Sequence, residues 1–197
     1  MTVTQSKVFL HDRAANQLVE ATLYDTVLER HLQDFERAWK GFSPTAQLEH
    51  EHWDWRKKVV AISGQLGYQS FAVECGGETQ GLMVINTIKR GRLPQQAGQH
   101  LVYVEYVQAA PWNRPGISGR ASYRGVGTVL IAAAIQQSVD EGYRGRIGLH
   151  SLPQADAFYR DACGMTDLGS DSSYSRVPLR YFEMSEDQAG VFLKQGR

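Results

Sequence analysis

The sequence predicts a mixed α/β fold of the α+β kind, with a mostly antiparallel central sheet flanked by helices. Three observations carry this. The hydrophobic period is three to four before Gly64 and switches to two from Tyr68. Two β-forming runs then flank the turn pair Gly76-Gly77, the pattern of a hairpin. Between Leu101 and His150 a strand, a helix and a second strand follow one another, the unit that brings helix and sheet into layers. The chain has 197 residues, 42% of them hydrophobic, which suits one domain over 1–197 with a core of ordinary size.

Taken in order, Val8-Phe9-Leu10 and Leu18 to Leu23 are apolar stretches around the turn-prone Asp12 to Asn16. Residues 1–24 therefore fit either a hairpin or a frayed N-terminal extension, and the pattern leaves that choice open. From Asp25, the residues Val27, Leu28, His31, Leu32, Phe35 and Trp39 recur at helical spacing, with Gly41 as the stop. Ser43 as N-cap and Pro44 in the first turn open a second helix that carries Leu48, Trp55, Val59 and Val60 before Gly64. Tyr68 to Cys75 and Gly81 to Ile88 are the hairpin strands, and Leu101 to Val107 is a third, rich in β-forming residues. Residues 109–122, with Pro111, Pro115 and Gly116, read as a mobile loop. Gly127 to Glu141 is the clearest helix; Val126, Leu130, Ala133, Ala134 and Val139 face inward and Gly142 ends it. Arg146 to His150 is a short strand, and Pro153 to Ala162 a helix opened by its proline and closed by Gly164. Thr166 to Leu168 and Arg180 to Met184 close the sheet, and Ser185 caps a tail helix.

Composition removes several classes of function. The 21 Lys and Arg balance 21 Asp and Glu, so no global field draws the chain to nucleic acid or to an anionic membrane. Two cysteines, Cys75 and Cys163, make neither a disulfide scaffold nor a CxxC metal pair. His50-Glu51-His52 does not read as a metal site either, because residues two apart on a helix point away from each other. The N-terminus lacks the apolar segment of a signal peptide, and the run Val129 to Ile135 is too short to span a bilayer, so a cytoplasmic protein with no membrane partner is expected. Charge is nonetheless uneven. Residues 61–125 hold 3 acids against 6 bases (Lys89, Arg90, Arg92, Arg114, Arg120 and Arg124), which makes that stretch the place to seek an anionic ligand.

The most informative stretch is Tyr123-Arg124-Gly125-Val126-Gly127-Thr128-Val129-Leu130, just where the clearest helix starts. Glycines at such a junction let backbone N–H groups approach a ligand closely, and the helix N-terminus adds partial positive charge. Together they make a pyrophosphate cradle that needs no metal. A tight turn into a helix is the plainer reading of the same residues. No GK[ST] follows, so it is not a Walker A loop, and it lacks the dinucleotide GxGxxG. Downstream, Ala155-Asp156-Ala157-Phe158-Tyr159 and then Cys163-Gly164-Met165 give a short helix that ends in glycine before a strand. The two halves together resemble the GNAT N-acetyltransferase superfamily, whose acetyl-CoA motif reads [QR]-x-x-G-x-[GA] and whose next helix typically reads A-x-x-F/L-Y-x-x-x-G-F. The resemblance covers roughly Gly81 to Glu183.

That resemblance implies a strand-helix-strand acetyl-CoA core, acetyl-CoA as co-substrate and no metal. Arg124 matches the first motif residue and Gly127 its glycine, while Val129 stands at the final Gly/Ala place and crowds the helix start. On this match Arg124, Gly125, Val126, Gly127, Thr128 and Val129 hold the cofactor, and the backbone at Val107 holds the oxyanion. Tyr159 matches the tyrosine that protonates the leaving thiolate, although its spacing to the next glycine is one residue longer than the family's. Leu152 stands where many members carry a CoA-facing asparagine, which brings His150 or Ser151 into consideration. Glu105 is the candidate base, directly or through water. The implied reaction is direct transfer of an acetyl group to a primary amine in a ternary complex. Trp53, Trp55, Glu51 and Trp112, with Glu49 and Asp54 nearby, form the expected acceptor side and suit a small cationic or aromatic amine, or a peptide amine. The same tryptophans also read as packing residues. Two alternatives share the fold: a non-catalytic module that binds acyl-CoA, and a toxin-type enzyme acetylating charged tRNA, which the zero net charge disfavours. A homodimer is compatible with the sequence but not indicated by it.

Overall fold

The computed structural model describes residues 3–40, 42, 53–114, 122–173 and 178–195. Its strands are β1 (Gln5–Asp12), β2 (Gln17–Tyr24), β3 (Tyr68–Cys75), β4 (Glu78–Asn86), β5 (Val102–Ala109), β6 (Tyr123–Arg124), β7 (Ile147–Ser151), β8 (Thr166–Asp171) and β9 (Leu179–Met184). The helices are α1 (Glu29–Asp34), α2 (Trp55–Ile62), α3 (Val126–Asp140) and α4 (Glu186–Gln195). The strands form a sheet in the order β6-β1-β2-β3-β4-β5-β7-β9-β8, in which β5 and β7 are parallel and β1–β2, β1–β6, β2–β3, β7–β9 and β8–β9 antiparallel. The fold is the expected mixed, mostly antiparallel sheet flanked by helices. The chain divides into two compact units, Met1–Val84 with Tyr106–Leu130, and Ile85–Glu105 with Ile131–Arg197.

In the first unit the N-terminal segment is a hairpin, paired from Gln5↔Tyr24 to Asp12↔Gln17. Asp12 makes the turn by accepting the Ala14 and Ala15 amides at 2.8 and 3.0 Å, and Asn16 takes the left-handed backbone at φ 51. Alternation then buries Leu10, Ala21 and Tyr24 and leaves Phe9 and Leu18 exposed. The first helix starts later than its apolar spacing suggests. Val27 and Leu28 are extended, α1 begins at Glu29, and a π-helical turn over Phe35–Trp39 carries Phe35 and Trp39 into a core with Leu32, Trp55, Leu82 and Val84. His31 caps its own helix, its Nδ1 accepting the Leu28 amide at 3.0 Å.

The second helix is a clearer correction. Trp53 and Asp54 are not helical, and α2 begins at Trp55, where the Asp54 carboxylate accepts the Lys57 amide at 3.1 Å. A carboxylate N-cap at Asp54 sets the start, so no helix runs continuously from Ser43-Pro44; those residues and Leu48 lie outside the described ones. Val60, expected among the helix's apolar residues, is 67% exposed. In the expected loop 109–122, Pro111–Asn113 form a 3-10 turn, and residues 115–121 lie outside the described ones. Beyond it, Tyr123 and Arg124 pair with Asp12 and His11 as an edge strand.

In the second unit, Val102 to Val104 pair with Ile147 to Leu149, and β9 and β8 continue the sheet. Ile131, Ala134, Ile135 and Ser138 are fully buried, whereas Val139, expected to face inward, is 46% exposed. The three-and-four stripe from Ile131 arrives at Ser138, whose hydroxyl finds the Arg146 carbonyl at 2.7 Å. The segment between β4 and β5 is organised around Glu183 of β9, a fully buried carboxylate. It accepts the Arg92 and Leu93 amides at 2.7 and 3.0 Å, the Gln96 side-chain amide at 2.6 Å and the Tyr181 hydroxyl at 2.9 Å. Among the described residues no helix is long and apolar enough to cross a membrane, and no group of three or more His, Cys, Asp or Glu residues could hold a metal ion.

Candidate active site

The turn into α3 is built in the first unit. Gly125 has φ +94, a backbone that residues with a Cβ rarely adopt, and it sits between β6 and the helix. Its carbonyl accepts the Val129 amide at 2.9 Å, the helix's opening bond. The amides of Val126, Gly127 and Thr128 come before that bond and have no i−4 partner within the helix. Arg124 and Gly125 are exposed, Val126 is buried, and Gly127, Thr128 and Val129 are half-buried. Val129 differs from the three residues before it in that its amide is already engaged. What seats this turn is Gly81 of β4. A Cβ there would lie 2.6 Å from Val126 Cγ1 and 2.9 Å from Leu130 Cδ1, so the first turn of α3 rests on the bare strand backbone. Sequence reasoning took Gly81 only as the start of a strand; a glycine inside a β pattern is the signal that marks such a close approach.

The residues expected on an acceptor side fare unevenly. Trp55 is fully buried and its indole N–H donates to Gln108 Oε1 at 2.5 Å, so it is a core residue and presents no face to a ligand. Its position at the first turn of α2, over Leu82 and Val84, makes burial the stronger demand. Trp112 donates to Gln80 Oε1 at 3.0 Å and packs edge-on against Trp39, half-buried. Trp53 is half-buried, edge-on to Tyr106 with centroids 5.3 Å apart. The Lys58 ammonium lies 4.6 Å from the Trp53 ring centre and 3.2 Å from that of Tyr106, so the chain's own cation lies over Trp53, an aromatic expected to meet an amine, and over Tyr106 beside it. Glu51 and Glu49 lie outside the described residues. Val107 of β5 is half-buried in the same unit.

Glu105 and Tyr159 belong to the second unit. Glu105 is half-buried and accepts from Asn86 Nδ2 at 3.2 Å, which orients one carboxylate oxygen. Tyr159 is 6% exposed, its ring between Phe158 and Phe182. The expected helix over Pro153–Ala162 is instead a 3-10 turn at Pro153–Ala155 leading into a π-helical turn at Phe158–Ala162, where the Cys163 amide bonds to the Phe158 carbonyl at 2.9 Å. A π turn holds one residue more than an α turn. That extra residue is the one by which the spacing from Tyr159 to Gly164 exceeds the family's pattern. Burial, then Cys163 and Asp156, push the Tyr159 hydroxyl well above the usual phenol range. Burial likewise lifts the Cys163 thiol to about 12, which removes it as a nucleophile at neutral pH. Of the two residues considered in place of the absent asparagine, Ser151 donates to the Leu152 carbonyl at 2.9 Å, and His150 belongs to a network between strands.

No protein-family model and no curated protein matches this chain. Solved structures do. An uncharacterized protein from Bacillus halodurans matches with TM-score 0.63 over 97% of this chain and 96% of its own, at 11% identity. Mycobacterium smegmatis RimJ, in complex with CoA-disulfide, matches with TM-score 0.58 over 98% and 95%, at 15% identity. The GNAT domain of S. lividans PAT matches with TM-score 0.54 over 91% and 97%, at 18% identity. The chain has the fold of the GNAT acetyltransferases.

Proposed function

We propose that the chain is an acetyl-CoA-dependent N-acetyltransferase that moves the acetyl group directly to a primary amine. The observation that carries this is the turn at Gly125. Left-handed backbone at the exposed Gly125, three amides without helical partners at Val126 to Thr128, and the N-terminus of a 15-residue helix follow one another in a turn suited to a pyrophosphate. Arg124, exposed and next to Gly125 in sequence, adds a positive side chain. The RimJ neighbour binds a CoA-derived ligand on the same fold, which supports the choice of anion.

Acetyl-CoA supplies the thioester carbonyl; the chain's residues supply binding and proton transfer. The 124–129 turn holds the phosphates, and the Val107 amide faces the oxyanion. Glu105, steadied by Asn86, draws a proton from the amine directly or through water. Tyr159, held protonated by its burial, gives its proton to the thiolate as the C–S bond breaks. Lys58 over Trp53 and Tyr106 favours acceptors without a second positive charge, such as an aromatic amine or a neutral peptide N-terminus.

Calorimetry with acetyl-CoA tests the reading. Binding in the micromolar range is expected for the wild type. Gly127→Glu, which fills the cradle and repels phosphate, should abolish it while the fold remains. Equal affinity in the folded variant would sink the assignment.

A further inference from the structure

The second unit holds a line of polar side chains that the roles above leave unused. Tyr103 lies two residues before Glu105, so both side chains leave the same face of β5. Its hydroxyl is 2.6 Å from His150 Nδ1, and His150 Nε2 is 2.9 Å from Asp171 Oδ2. Asp171 is fixed in turn by Arg92 Nη1 at 2.5 Å and by the Ser173 amide at 2.9 Å. An ionised carboxylate only accepts hydrogen bonds, so Nε2 carries the imidazole proton and Nδ1 accepts from the phenol. The basic nitrogen of a neutral histidine is thus aimed at a hydroxyl. The His150 side chain is 2% exposed, and Tyr103 4%.

Several charges and rings face His150. Asp171 approaches from β8, the Tyr181 ring from β9 at 4.9 Å and Tyr103 from β5, with Arg92 and Lys89 from the segment before β5. The Lys89 ammonium is 5.7 Å from the Tyr103 ring centre, and Arg92 lies 4.3 Å from that of Tyr181. Burial lowers the imidazole's proton affinity, Asp171 opposes that, and Arg92 and Lys89 add to the lowering, so the balance favours the neutral ring that the Tyr103 and Asp171 geometry requires. A hydroxyl that only needed a structural acceptor could use any carbonyl. Hydroxyl, imidazole and carboxylate in line allow the hydroxyl to lose its proton while the new charge is paired at once.

We propose that Tyr103, His150 and Asp171 form a proton relay for the acetyl transfer, an inference that rests on the N-acetyltransferase reading. For an acceptor that arrives as an ammonium, the proton that Glu105 or its water takes from it passes to the Tyr103 oxygen as the phenolic proton moves to His150 Nδ1. The imidazolium pairs with Asp171, and no bond to carbon changes in the relay. The freed amine attacks the thioester carbonyl, the C–S bond breaks, and the thiolate takes the Tyr159 proton. The second proton of the nitrogen restores Tyr159, and His150 returns its proton to solvent through Tyr103. One proton leaves per turnover, as the reaction requires.

The test uses the full chain, with CoA release followed across an amine panel and acetyl-CoA affinity measured separately by calorimetry. Failure of the wild type to bind acetyl-CoA removes the transferase reading and the relay with it. With binding intact, Tyr103→Phe and His150→Gln should lower kcat about 100-fold, leave acetyl-CoA affinity unchanged and abolish the acid-side inflection of kcat, which the lowered basicity of His150 puts below the ordinary histidine range. A merely structural role would lower thermal stability and leave the shape of the pH profile as in the wild type, which overturns the relay. Nitrogen-15 histidine spectra decide independently of turnover, even if His150→Gln fails to fold. The wild type should show His150 protonated on Nε2, and a ring protonated on Nδ1 overturns the proposal.

Discussion

Tyr159, 6% exposed, is a buried phenol of the second unit. Burial between Phe158 and Phe182, with Cys163 and Asp156 near, keeps its phenol protonated across the neutral range. Tyr159→Phe retains the ring and removes only the acid. Steady-state kinetics should show kcat reduced ~10²–10⁴-fold, with acetyl-CoA affinity by calorimetry within about twofold. The adjacent Arg160 donates to Asp167 at 2.9 Å and Arg180 donates to the same oxygen at 2.8 Å. Burial tends to raise the Asp167 pKa, but Arg160, Arg180 and the Gly169 amide outweigh it and hold the group down to about 2. A carboxylate more acidic in the folded chain than its unfolded value of ~3.9 stabilises fully above that value and loses its contribution as pH falls through about 2. Asp167→Asn should therefore cost about 1 kcal/mol at pH 7, since its arginine partners are 45% and 43% exposed and screened by water. In urea denaturation the difference from the wild type should shrink from pH 4 downward and disappear only below pH 2.

Elements in this fold are placed by single residues that touch a neighbour's backbone. Gly81 lets α3 begin against β4, and an alanine there would meet Val126 and Leu130 side chains at 2.6 and 2.9 Å. Both atoms belong to buried side chains of the first helical turn, so an added Cβ displaces their rotamers or the turn itself. Gly81→Ala is expected to cost about 1–3 kcal/mol in chemical denaturation and to weaken acetyl-CoA at least tenfold in calorimetry. Loss of stability with unchanged affinity would separate the turn from the binding site. The start of α1 depends on a proton. His31 is fully buried and its Nδ1 accepts the Leu28 amide, with Nε2 3.4 Å from Glu74 and the rings of Tyr24 and His31 5.0 Å apart. Burial and then Arg30 lower its pKa, against Glu74 and Asp34. A histidine less basic when folded keeps its full contribution above the unfolded ~6.5 and loses it as pH falls through the lower folded value. The melting temperature of the wild type should drop below pH 6.5 more steeply than that of His31→Gln, which begins lower and varies less.

For the whole molecule, what was legible in the sequence followed from local physics. The β3–β4 hairpin announced itself by Gly76-Gly77, and α3 by an apolar stripe with Gly142 as its stop. The strand-to-helix turn at Gly125 could be found because glycine there answers a backbone need. Features set by distant partners could not be found. The pairing of Tyr123 with Asp12 joins residues separated by most of the first unit, and nothing near either announces it. Trp55 reads either as a packing residue or as an acceptor-side aromatic beside acids, and what decides for the core is Gln108, 53 positions away, which takes its N–H. The displacement of Val139 by Ser138 depends on the Arg146 carbonyl waiting beyond the helix end.

Glu183 carries a consequence for the order in which the molecule is completed. The amides of Arg92 and Leu93 and the side chain of Gln96 are organised by a carboxylate 91, 90 and 87 residues further along the chain. A ribosome therefore delivers the segment between β4 and β5 long before it delivers the anion that gives that segment its shape. Until β9 emerges, those donors face water and the segment has only its own turns, such as the bonds between Gly91 and Gln99 and between Gln96 and Leu93, to hold its shape. It settles only once synthesis has nearly ended. The interior carboxylate so acts as a late latch: a nascent chain can raise its early hairpins one after another, yet this central connection stays incomplete until the last strand has been made.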